Sequence, residues 1–271
     1  MKILVLQNPL RRLGAKESRA LDRILGAHEV VRKDAPRHRA SNGNGHAYDL
    51  VLAIGGDGTV LAAAHHTRNR TIPIVGLNTG HVGFLAGLTL QNFRKELPAI
   101  LQGRSLIEDR TSLTVALPNG EAGWALNDIG FQATGRDLFA AELLFAGKKV
   151  CDYKGDGLIV ATATGSTAYN LSLGGPLLAP DSAMIAITPK APLTLTNRAL
   201  VLHDPGEVTL RITGGETRVE HDSIPVATVK AGDLIRIRQA EKKVPLVFPV
   251  GFNHFAAVGE KLRWNENLIT R

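Results

Sequence analysis

The sequence predicts an α/β protein with an N-terminal parallel-sheet domain and a mostly-β, β-sandwich-like C-terminal domain. Up to about residue 102, apolar runs alternate with segments of helical periodicity, which is typical of a parallel sheet covered by helices. Beyond this point, short β-type runs are separated by turn residues such as Pro118-Asn119-Gly120 and Gly214-Gly215. That second pattern is typical of two antiparallel sheets packed face to face.

The first domain is predicted to consist of four strands and the helices between them. The continuous apolar run at 49–54 indicates a strand that is buried on both faces, and it leads directly into a glycine-rich turn. The segment 15–26 has Leu21, Ile24 and Leu25 at helical spacing and ends on Gly26. We expect strands at 2–6, 28–32, 49–54 and 72–77, and helices at 15–26, 59–66 and 91–97, with Pro98 ending or kinking the last helix.

The second domain is predicted from nine short β-type runs. They lie at 112–117, 124–133, 143–153, 158–161, 184–188, 207–213, 217–220, 234–238 and 245–248. We therefore expect an α/β nucleotide-binding domain at 1–102, joined by the C-terminal tail at about 250–271, and a mostly-β domain at 103–249.

The composition limits the classes of function. The chain has 271 residues, of which 44% are apolar, and this is enough to bury a core. A single cysteine, Cys151, excludes an intrachain disulfide and a cysteine-based zinc site. The N-terminal apolar run is too short for a secretory signal, and no segment approaches the roughly 20 apolar residues of a membrane span. These features predict a cytoplasmic protein without a membrane partner.

The net charge is +7, and the first forty residues hold ten Lys or Arg against four acids. Such a field attracts polyanions such as nucleotides, although the same charges also suit a solvated helix face. Aromatic residues make up only 5%, which leaves few platforms on which the bases of a nucleic acid could stack. We therefore predict small-molecule nucleotides rather than nucleic acid as partners.

The first motif is Gly55-Gly56-Asp57-Gly58-Thr59, between a predicted strand and a predicted helix. Ligands of open α/β sheets lie at the carboxyl ends of strands, glycines allow a close backbone approach, and helix N-termini bind phosphate. Asp57 held in this turn could accept a proton or orient a hydroxyl. The motif is neither a Walker A loop nor a dinucleotide fingerprint. The alternative is a glycine-rich turn in which Asp57 only caps the helix.

Three further motifs lie in the second domain. The block 156–170 concentrates hydroxyl, amide and Tyr side chains, as a base or ribose site needs, although a solvated Ser/Thr loop has the same composition. Asn127-Asp128 and His221-Asp222-Ser223 are weaker signals that also suit ordinary turns. No Ser/His/Asp triad or metal-ligand cluster occurs at a recognised spacing, so the sequence leaves any metal ligands unknown.

Taken in this order, the motifs resemble those of the NAD kinase family. The resemblance includes GGDGT at 55–59, an Asn-Glu type pair as Asn127-Asp128, and the block from Asp156 to Tyr169. Gly174-Gly175-Pro176 and the Asp222-Ser223 turn also match, so the resemblance covers nearly the whole chain. It implies a nucleotide domain and a β-sandwich domain that assemble as homodimers or homotetramers. The implied reaction transfers phosphate from ATP, or polyphosphate in some members, to the adenosine ribose 2′-hydroxyl of NAD, with a divalent metal such as Mg²⁺.

The resemblance also assigns roles to residues of this chain. Asp57 is implied to be the proton acceptor, and Gly58 lies against the nucleotide. Asn127 and Asp128 match the pair that holds the adenosine moiety, and Asp156 matches an acid that reaches the nicotinamide side of a neighbouring subunit's ligand. The remaining implied nucleotide-binding residues are Lys154, Thr167, Ala168, Tyr169, Asn170, Leu171, Ser172 and Ala191.

The chain departs from the family pattern at four positions. Asp128 is one methylene shorter than the usual Glu, and Lys154 stands where many members carry Arg. Ala163 replaces a usual Pro, and Ile224 stands where Gln often follows the Asp-Ser turn. None of these changes lies in the GGDGT turn, so the expected class of reaction is unaffected.

Two other functions are compatible with parts of the pattern. Lipid kinases and phosphofructokinases have a similar glycine-rich turn, but the sequence shows no amphipathic membrane-docking helix of the kind a lipid kinase could use. A catalytically silent NAD-binding sensor is a second alternative, against which the intact Asp57 argues.

Overall fold

A computed structural model describes residues 1–36, 48–80, 83–203 and 206–264. The chain separates into two compact units, formed by Met1–Asp109 with Val244–Arg271 and by Arg110–Lys243. The sequence places these boundaries at 102/103 and 249/250, and the differences arise because β6 and β19 belong to the sheet of the first unit.

The described strands, in chain order, are β1 (Lys2–Gln7), β2 (Glu29–Asp34), β3 (Leu50–Gly55), β4 (Ile74–Asn78), β5 (Leu88–Thr89), β6 (Leu106–Arg110), β7 (Leu113–Ala116), β8 (Ala122–Ala125), β9 (Asp128–Ala133), β10 (Phe139–Phe145), β11 (Lys148–Gly155), β12 (Gly157–Thr162), β13 (Met184–Lys190), β14 (Leu200–His203), β15 (Val208–Gly214), β16 (Thr217–His221), β17 (Ile224–Val229), β18 (Leu234–Gln239) and β19 (Val244–Phe248). The helices are α1 (Ala15–Leu25), α2 (Asp57–Thr67), α3 (Phe93–Leu101), α4 (Tyr169–Ser172) and α5 (His254–Lys261), with a 3₁₀ turn at Gly165–Thr167.

The first unit contains a sheet in the order β2-β1-β3-β4-β19-β6, with β5 paired to β4. Strands β1 to β5 and β19 pair in parallel. Every residue of β3 and β4 is buried, as expected for strands covered on both faces. The core on one face joins the strands to α1 and α3 through Leu21, Leu25, Phe93 and Leu97. The predicted parallel-sheet α/β domain is therefore confirmed.

Strand β19 belongs to the first unit although the sequence pattern places 245–248 with the β domain. It pairs in parallel with β4, with Leu246 opposite Ile74 and Val247 opposite Val75. All five of its residues are buried. A short apolar strand of this kind occurs in buried parallel sheets and in β-sandwiches. The sequence pattern therefore does not show to which sheet the strand belongs.

The second unit consists of two six-stranded sheets, in the orders β11-β10-β15-β18-β7-β8 and β14-β13-β12-β9-β16-β17. Its pairings are antiparallel throughout. Alternate residues of both sheets form one apolar core, for example Phe139, Leu210 and Ile235 from the first and Phe131 and Val160 from the second. This confirms the predicted β-sandwich-like domain.

Two predicted strands of the second unit are interrupted. The run at 143–153 is divided between β10 and β11 by a turn in which Ala146 and Gly147 have φ of 49° and 76°. The run at 124–133 is divided between β8 and β9 at Leu126 and Asn127. The second break lies at a predicted site residue, and its cause is described below.

Two helices also differ from the expectation. Helix α2 begins at Asp57, two residues earlier than predicted, and α3 continues through Pro98 to Leu101. Proline removes one hydrogen bond of a helix but does not prevent the next turn from forming when the helix packs against a sheet. No helix in the described ranges is both long enough and apolar enough to span a membrane.

Candidate active site

The GGDGT turn joins the buried strand β3 to the N-terminus of α2. Gly55 is required by packing, because a Cβ there would lie 2.1 Å from the Thr59 hydroxyl oxygen. Gly56 and Gly58 differ, since a Cβ on either would meet no atom within 4 Å. Their backbone therefore borders open space beside the free N–H groups of an eleven-residue helix. This arrangement suits the close approach of a phosphate group.

Asp57 lies at the first position of α2, and its carboxylate is fixed by a neighbouring loop. One carboxylate oxygen accepts a hydrogen bond from the Phe84 N–H at 2.8 Å, and the other accepts one from the Leu85 N–H at 3.1 Å. Gly83 leaves the room for this contact, since a Cβ there would be 1.9 Å from the carboxylate. Gly56, not Asp57, occupies the N-cap position, so the helix-capping alternative does not describe this carboxylate.

The Asp57 carboxylate also has a cation beside it. The Lys261 ammonium of α5 lies 3.8 Å from one carboxylate oxygen, with the Asp57 side chain 30% exposed. The same ammonium lies 3.9 Å from the centre of the Phe84 ring, which holds it in place. A carboxylate has about four lone-pair directions, so two loop N–H groups leave capacity to accept a hydrogen bond from a substrate hydroxyl.

Further polar groups meet at the same carboxyl edge of the sheet. The Asn8 N–H donates to the Ile54 carbonyl at 2.8 Å, and the Thr79 N–H donates to the Gly55 carbonyl at 2.9 Å. The Asn78 side chain accepts from the Gly80 N–H at 2.9 Å. Asn8 and the 83–85 loop were missed from the sequence. For Asn8 the available signal was its position directly after a parallel strand, and for 83–85 it was a position in the connection that follows β4, because such strand ends meet at one edge.

In the second unit, Asp222 produces the break that presents Asn127 and Asp128. Its carboxylate accepts hydrogen bonds from the N–H groups of Leu126 at 2.9 Å, Asn127 at 2.7 Å and Asp128 at 3.1 Å. Asp222 itself is in the left-handed region with φ of 48°. The His221-Asp222-Ser223 segment is thus a turn, which agrees with the ordinary-turn alternative from the sequence. This turn also holds Asn127 and Asp128, two predicted site residues, in position. Sequence reasoning missed this role.

The Asn127 backbone is held from its other side by the loop that follows β12. The Asn127 carbonyl accepts a hydrogen bond from the Thr162 N–H at 2.8 Å, and the Thr162 hydroxyl donates to the Leu126 carbonyl at 2.6 Å. Gly165 packs so closely that a Cβ would lie 2.0 Å from the Asn127 carbonyl oxygen. The structure therefore brings two of the predicted motifs into direct contact.

Asp128 is an acid in an unfavourable place for charge. It is only 6% exposed, and the pKa of its carboxyl is raised from 3.8 to about 7, mainly by burial. The carboxylates of Asp222 and Glu220 contribute to this rise, whereas the Lys190 ammonium opposes it. Among the described residues, none donates a hydrogen bond to the Asp128 carboxylate. A ligand hydroxyl could supply such a bond.

The predicted residues of the 167–172 segment have different environments. Tyr169 is 46% exposed, and Ser172 is exposed. Thr167, Ala168 and Leu171 are half-buried. Asn170 is fully buried, and its side chain bonds the Ser166 and Pro176 carbonyls and the Thr188 hydroxyl. These contacts indicate that Asn170 has a structural role and holds the Gly174-Gly175-Pro176 loop. A Cβ on Gly175 would collide with the Asn170 side chain.

Lys154, Asp156 and Ala191 form a second group on the same unit. The Asp156 N–H donates to the Lys190 carbonyl at 3.0 Å, and the Lys154 carbonyl accepts from the Leu193 N–H at 2.9 Å. All three predicted residues are exposed. Gly155 allows the 190–193 segment to pack closely against β11, since a Cβ on Gly155 would lie 2.6 Å from the Ala191 carbonyl oxygen.

Comparison with known proteins decides the family. The ATP-NAD kinase N-terminal domain matches residues 11–105, and the ATP-NAD kinase C-terminal domain matches residues 132–248.

The chain belongs to the NAD kinase family.

Individual NAD kinases show the same relationship over most of the chain. The NAD kinase of Geobacter metallireducens is 38% identical over 226 residues, covering 80% of this chain and 80% of the relative. That of Bordetella avium is 34% identical over 275 residues, covering 96% and 92%. The crystal structure of an NAD kinase from Archaeoglobus fulgidus in complex with ATP superposes with a TM-score of 0.77 and 25% identity, covering 97% of this chain and 99% of that one.

A yeast NADH kinase, solved in complex with NADH, shares the fold with a TM-score of 0.84 at 20% identity, covering 100% of this chain and 90% of that one. The family membership inferred from the motifs is therefore confirmed.

No metal centre is built into the described parts of this chain. Within residues 1–36, 48–80, 83–203 and 206–264, no three His, Cys, Asp or Glu side chains are grouped so that they could hold an ion. Near the GGDGT turn the side-chain oxygens that could ligate a cation include the Asp57 carboxylate and the Asn78 amide oxygen. Such a set does not by itself enclose Mg²⁺, which usually keeps several waters and takes few protein ligands.

Proposed function

We propose that this chain is an NAD kinase that transfers the γ-phosphate of ATP to the 2′-hydroxyl of the adenosine ribose of NAD, giving NADP. The observation that carries this proposal is the Asp57 carboxylate at the start of α2, fixed by two loop N–H groups and flanked by glycines with open backbone. A carboxylate beside a helix N-terminus supports the proposal, because phosphoryl transfer to a hydroxyl requires a proton acceptor close to the bound phosphate.

The proposed step is a single displacement at phosphorus. The ribose 2′-oxygen forms a bond to the γ-phosphorus while the bond from that phosphorus to the β–γ bridging oxygen breaks, and ADP leaves with that electron pair. The hydroxyl proton passes to the Asp57 carboxylate. The Lys261 ammonium, 3.8 Å from this carboxylate, offsets negative charge as the phosphates approach.

The second unit is proposed to bind NAD. Asn127 and Asp128 hold the adenosine part, with Asp128 accepting hydrogen bonds from ribose hydroxyls. Lys154, Asp156 and Ala191 serve the nicotinamide side, and the exposed Tyr169 offers an aromatic face. The remaining contacts proposed for this unit are made by Thr167, Ala168, Leu171 and Ser172, with Asn170 supporting the loop from its buried position. In the first unit, Gly58 is proposed to lie against a bound nucleotide.

A divalent ion, Mg²⁺ in our proposal, would enter with the triphosphate. It would neutralise charge on the phosphate oxygens during transfer. Because Asp57 is the carboxylate of this chain in the GGDGT turn, the ion would take most of its ligands from phosphates and water.

A product assay distinguishes the candidate functions. Purified protein is incubated with ATP and Mg²⁺, and with either NAD or diacylglycerol as acceptor. We expect NADP, scored with an NADP-dependent dehydrogenase, and no phosphatidate. Polyphosphate in place of ATP tests the second donor, and NADH in place of NAD tests the acceptor's redox state. Phosphatidate would indicate a lipid kinase, and NAD binding without any product would indicate a sensor.

The role of Asp57 is tested by Asp57→Asn. We expect kcat to fall by at least about 10²-fold, because a positioned base typically contributes about 10²- to 10⁴-fold. Asparagine retains one acceptor for the loop N–H groups, so the free energy of unfolding should fall by only about 1 kcal/mol. NAD affinity, measured by calorimetry, should change far less than kcat. Turnover that survives the substitution would mean that Asp57 only anchors the 84–85 loop.

Assembly and location are further parts of the proposal. We infer a homodimer or homotetramer in which Asp156, exposed at the start of β12, reaches the ligand of a neighbouring subunit. Light scattering should show an oligomer, and a strictly monomeric, fully active enzyme would contradict it. We also infer a cytoplasmic location, which cell fractionation tests.

A further inference from the structure

One face of the second sheet in the second unit carries two buried, opposite charges that are incompletely satisfied. Asp128 is 6% exposed and Lys190 is 5% exposed. The Lys190 ammonium can donate three hydrogen bonds, yet its contact with an acceptor is a long one, 3.4 Å to the Gln132 side-chain oxygen. Its other neighbour is the Tyr169 ring, with the nitrogen 4.7 Å from the ring centre.

The strand geometry brings the two charges towards each other. Asp128, Gly130 and Gln132 alternate along β9 and therefore lie on one face of the sheet. Lys190, two strands away on β13, extends back over β9, and a Cβ on Gly130 would lie 3.9 Å from its ammonium nitrogen. The ammonium thus lies over the neighbour of Asp128 on this face. No ion pair within 4.0 Å joins them among the described residues, which leaves a gap between donor and acceptor.

The other acid in this region already has a cation. The Glu220 carboxylate accepts from the Arg218 guanidinium at 2.6 Å. Burial lowers the pKa of Lys190, while Glu220 and Asp128 raise it. A buried ammonium is costly unless a nearby anion compensates it. The Lys190 ammonium therefore has two anions near it, Glu220, which is already paired with Arg218, and Asp128, which has no ion pair within 4.0 Å among the described residues.

We propose that Lys190 is a substrate-positioning residue that acts through Asp128, holding its carboxylate ionised so that it accepts hydrogen bonds from both hydroxyls of a nucleotide ribose. This rests on the proposed function, which places the ribose of NAD at Asp128. An ionised carboxylate accepts two hydroxyl hydrogens, whereas a protonated one must donate one of its own. The pKa of Asp128 is raised to about 7 and the Lys190 ammonium opposes that rise, so removal of this ammonium favours the protonated form at neutral pH.

The other charged groups around Asp128 act in known directions. Glu220 and the Asp222 carboxylate oppose its ionisation, and Arg218 lies beside Glu220. His221 lies on the same strand as Arg218 and Glu220, and β12 contributes no charged side chain. Lys190 is therefore the cation that favours the ionised form of Asp128.

The first test needs no catalysis. The full chain is labelled with ¹³Cγ-aspartate, the Asp128 signal is assigned by its loss in Asp128→Asn, and the signal is followed from pH 5 to pH 9. Lys190→Met should raise the titration midpoint of Asp128 by about one pH unit or more. Lys190→Gln, which keeps a polar side chain near Gln132, should raise this midpoint by a similar amount. Lys190→Arg should restore the wild-type midpoint. Lys148→Met, an exposed lysine on β11, is the matched control and should change nothing.

The second test measures NAD binding by calorimetry in the same variants. A shift of one pH unit leaves about one tenth of Asp128 ionised at pH 7, so Lys190→Met should bind NAD about fivefold more weakly there and nearly normally at pH 9. An unchanged Asp128 titration in both Lys190→Met and Lys190→Gln overturns the proposal, as does an equal loss of affinity at every pH. Failure of wild type to form NADP would instead refute the proposed reaction, since the titration does not depend on it.

Discussion

Replacing Asp128 with asparagine should make the second unit more stable at alkaline pH. In the folded protein the pKa of Asp128 is raised from 3.8 to about 7, mainly by burial. The folded state therefore binds the proton more tightly than the unfolded state, and the associated stability is lost as the pH rises from 3.8 towards 7. At about 1.4 kcal/mol per pH unit, this raised pKa corresponds to a cost of about 4 kcal/mol above pH 7.

The magnitude can be measured by urea unfolding at a series of pH values. About 3 kcal/mol of the cost should develop between pH 5 and pH 8, so the stability advantage of Asp128→Asn should grow by that amount over this range. Trp124, 8% exposed in the second unit, reports the transition by fluorescence if Trp264, 61% exposed in the first unit, is replaced by phenylalanine.

The control is Asp137→Asn, which removes an exposed carboxylate from the loop after β9. Its stability should match that of the wild type at every pH to within about 0.5 kcal/mol. The reasoning would be refuted if Asp128→Asn were less stable than the wild type at pH 8. A stability difference that did not change between pH 5 and pH 8 would refute it equally.

Three other substitutions test the contacts that build the two sites. Asp222→Ala removes the acceptor of two buried N–H groups and one half-buried N–H group, and it should lower the free energy of unfolding by about 3 kcal/mol or more. A loss below about 1 kcal/mol would contradict this. Gly165→Ala places a Cβ 2.0 Å from the Asn127 carbonyl oxygen and should destabilise by about 1–3 kcal/mol in urea unfolding, where an unchanged midpoint would count against the packing. Lys261→Met should lower kcat about tenfold, or about 1.4 kcal/mol, with Lys261→Arg recovering most of it. Equal turnover in the methionine variant would show that the ammonium beside Asp57 has no part in transfer.

The sequence alone determined the family and the two-part architecture. These features depend on local chemistry, because an apolar run that ends in GGDGT can be recognised without knowing its neighbours. The sequence also predicts a phosphate site at this turn and a shared function for Asn127-Asp128 and the 156–170 block. The same local view left open the alternative that Asp57 only caps a helix, whereas its carboxylate accepts hydrogen bonds from the N–H groups of Phe84 and Leu85.

Tertiary structure alone decided the properties that depend on distant partners. Strand β19 belongs to the first unit because it pairs in parallel with β4. The residues of β19 would suit either kind of sheet. Asp222 supports Asp128 although the two are 94 positions apart in the sequence, and Lys190 acts on the Asp128 charge from another strand. Burial and electrostatic fields sum over everything nearby in space, so the charge state of Asp128 could not be read from its own segment.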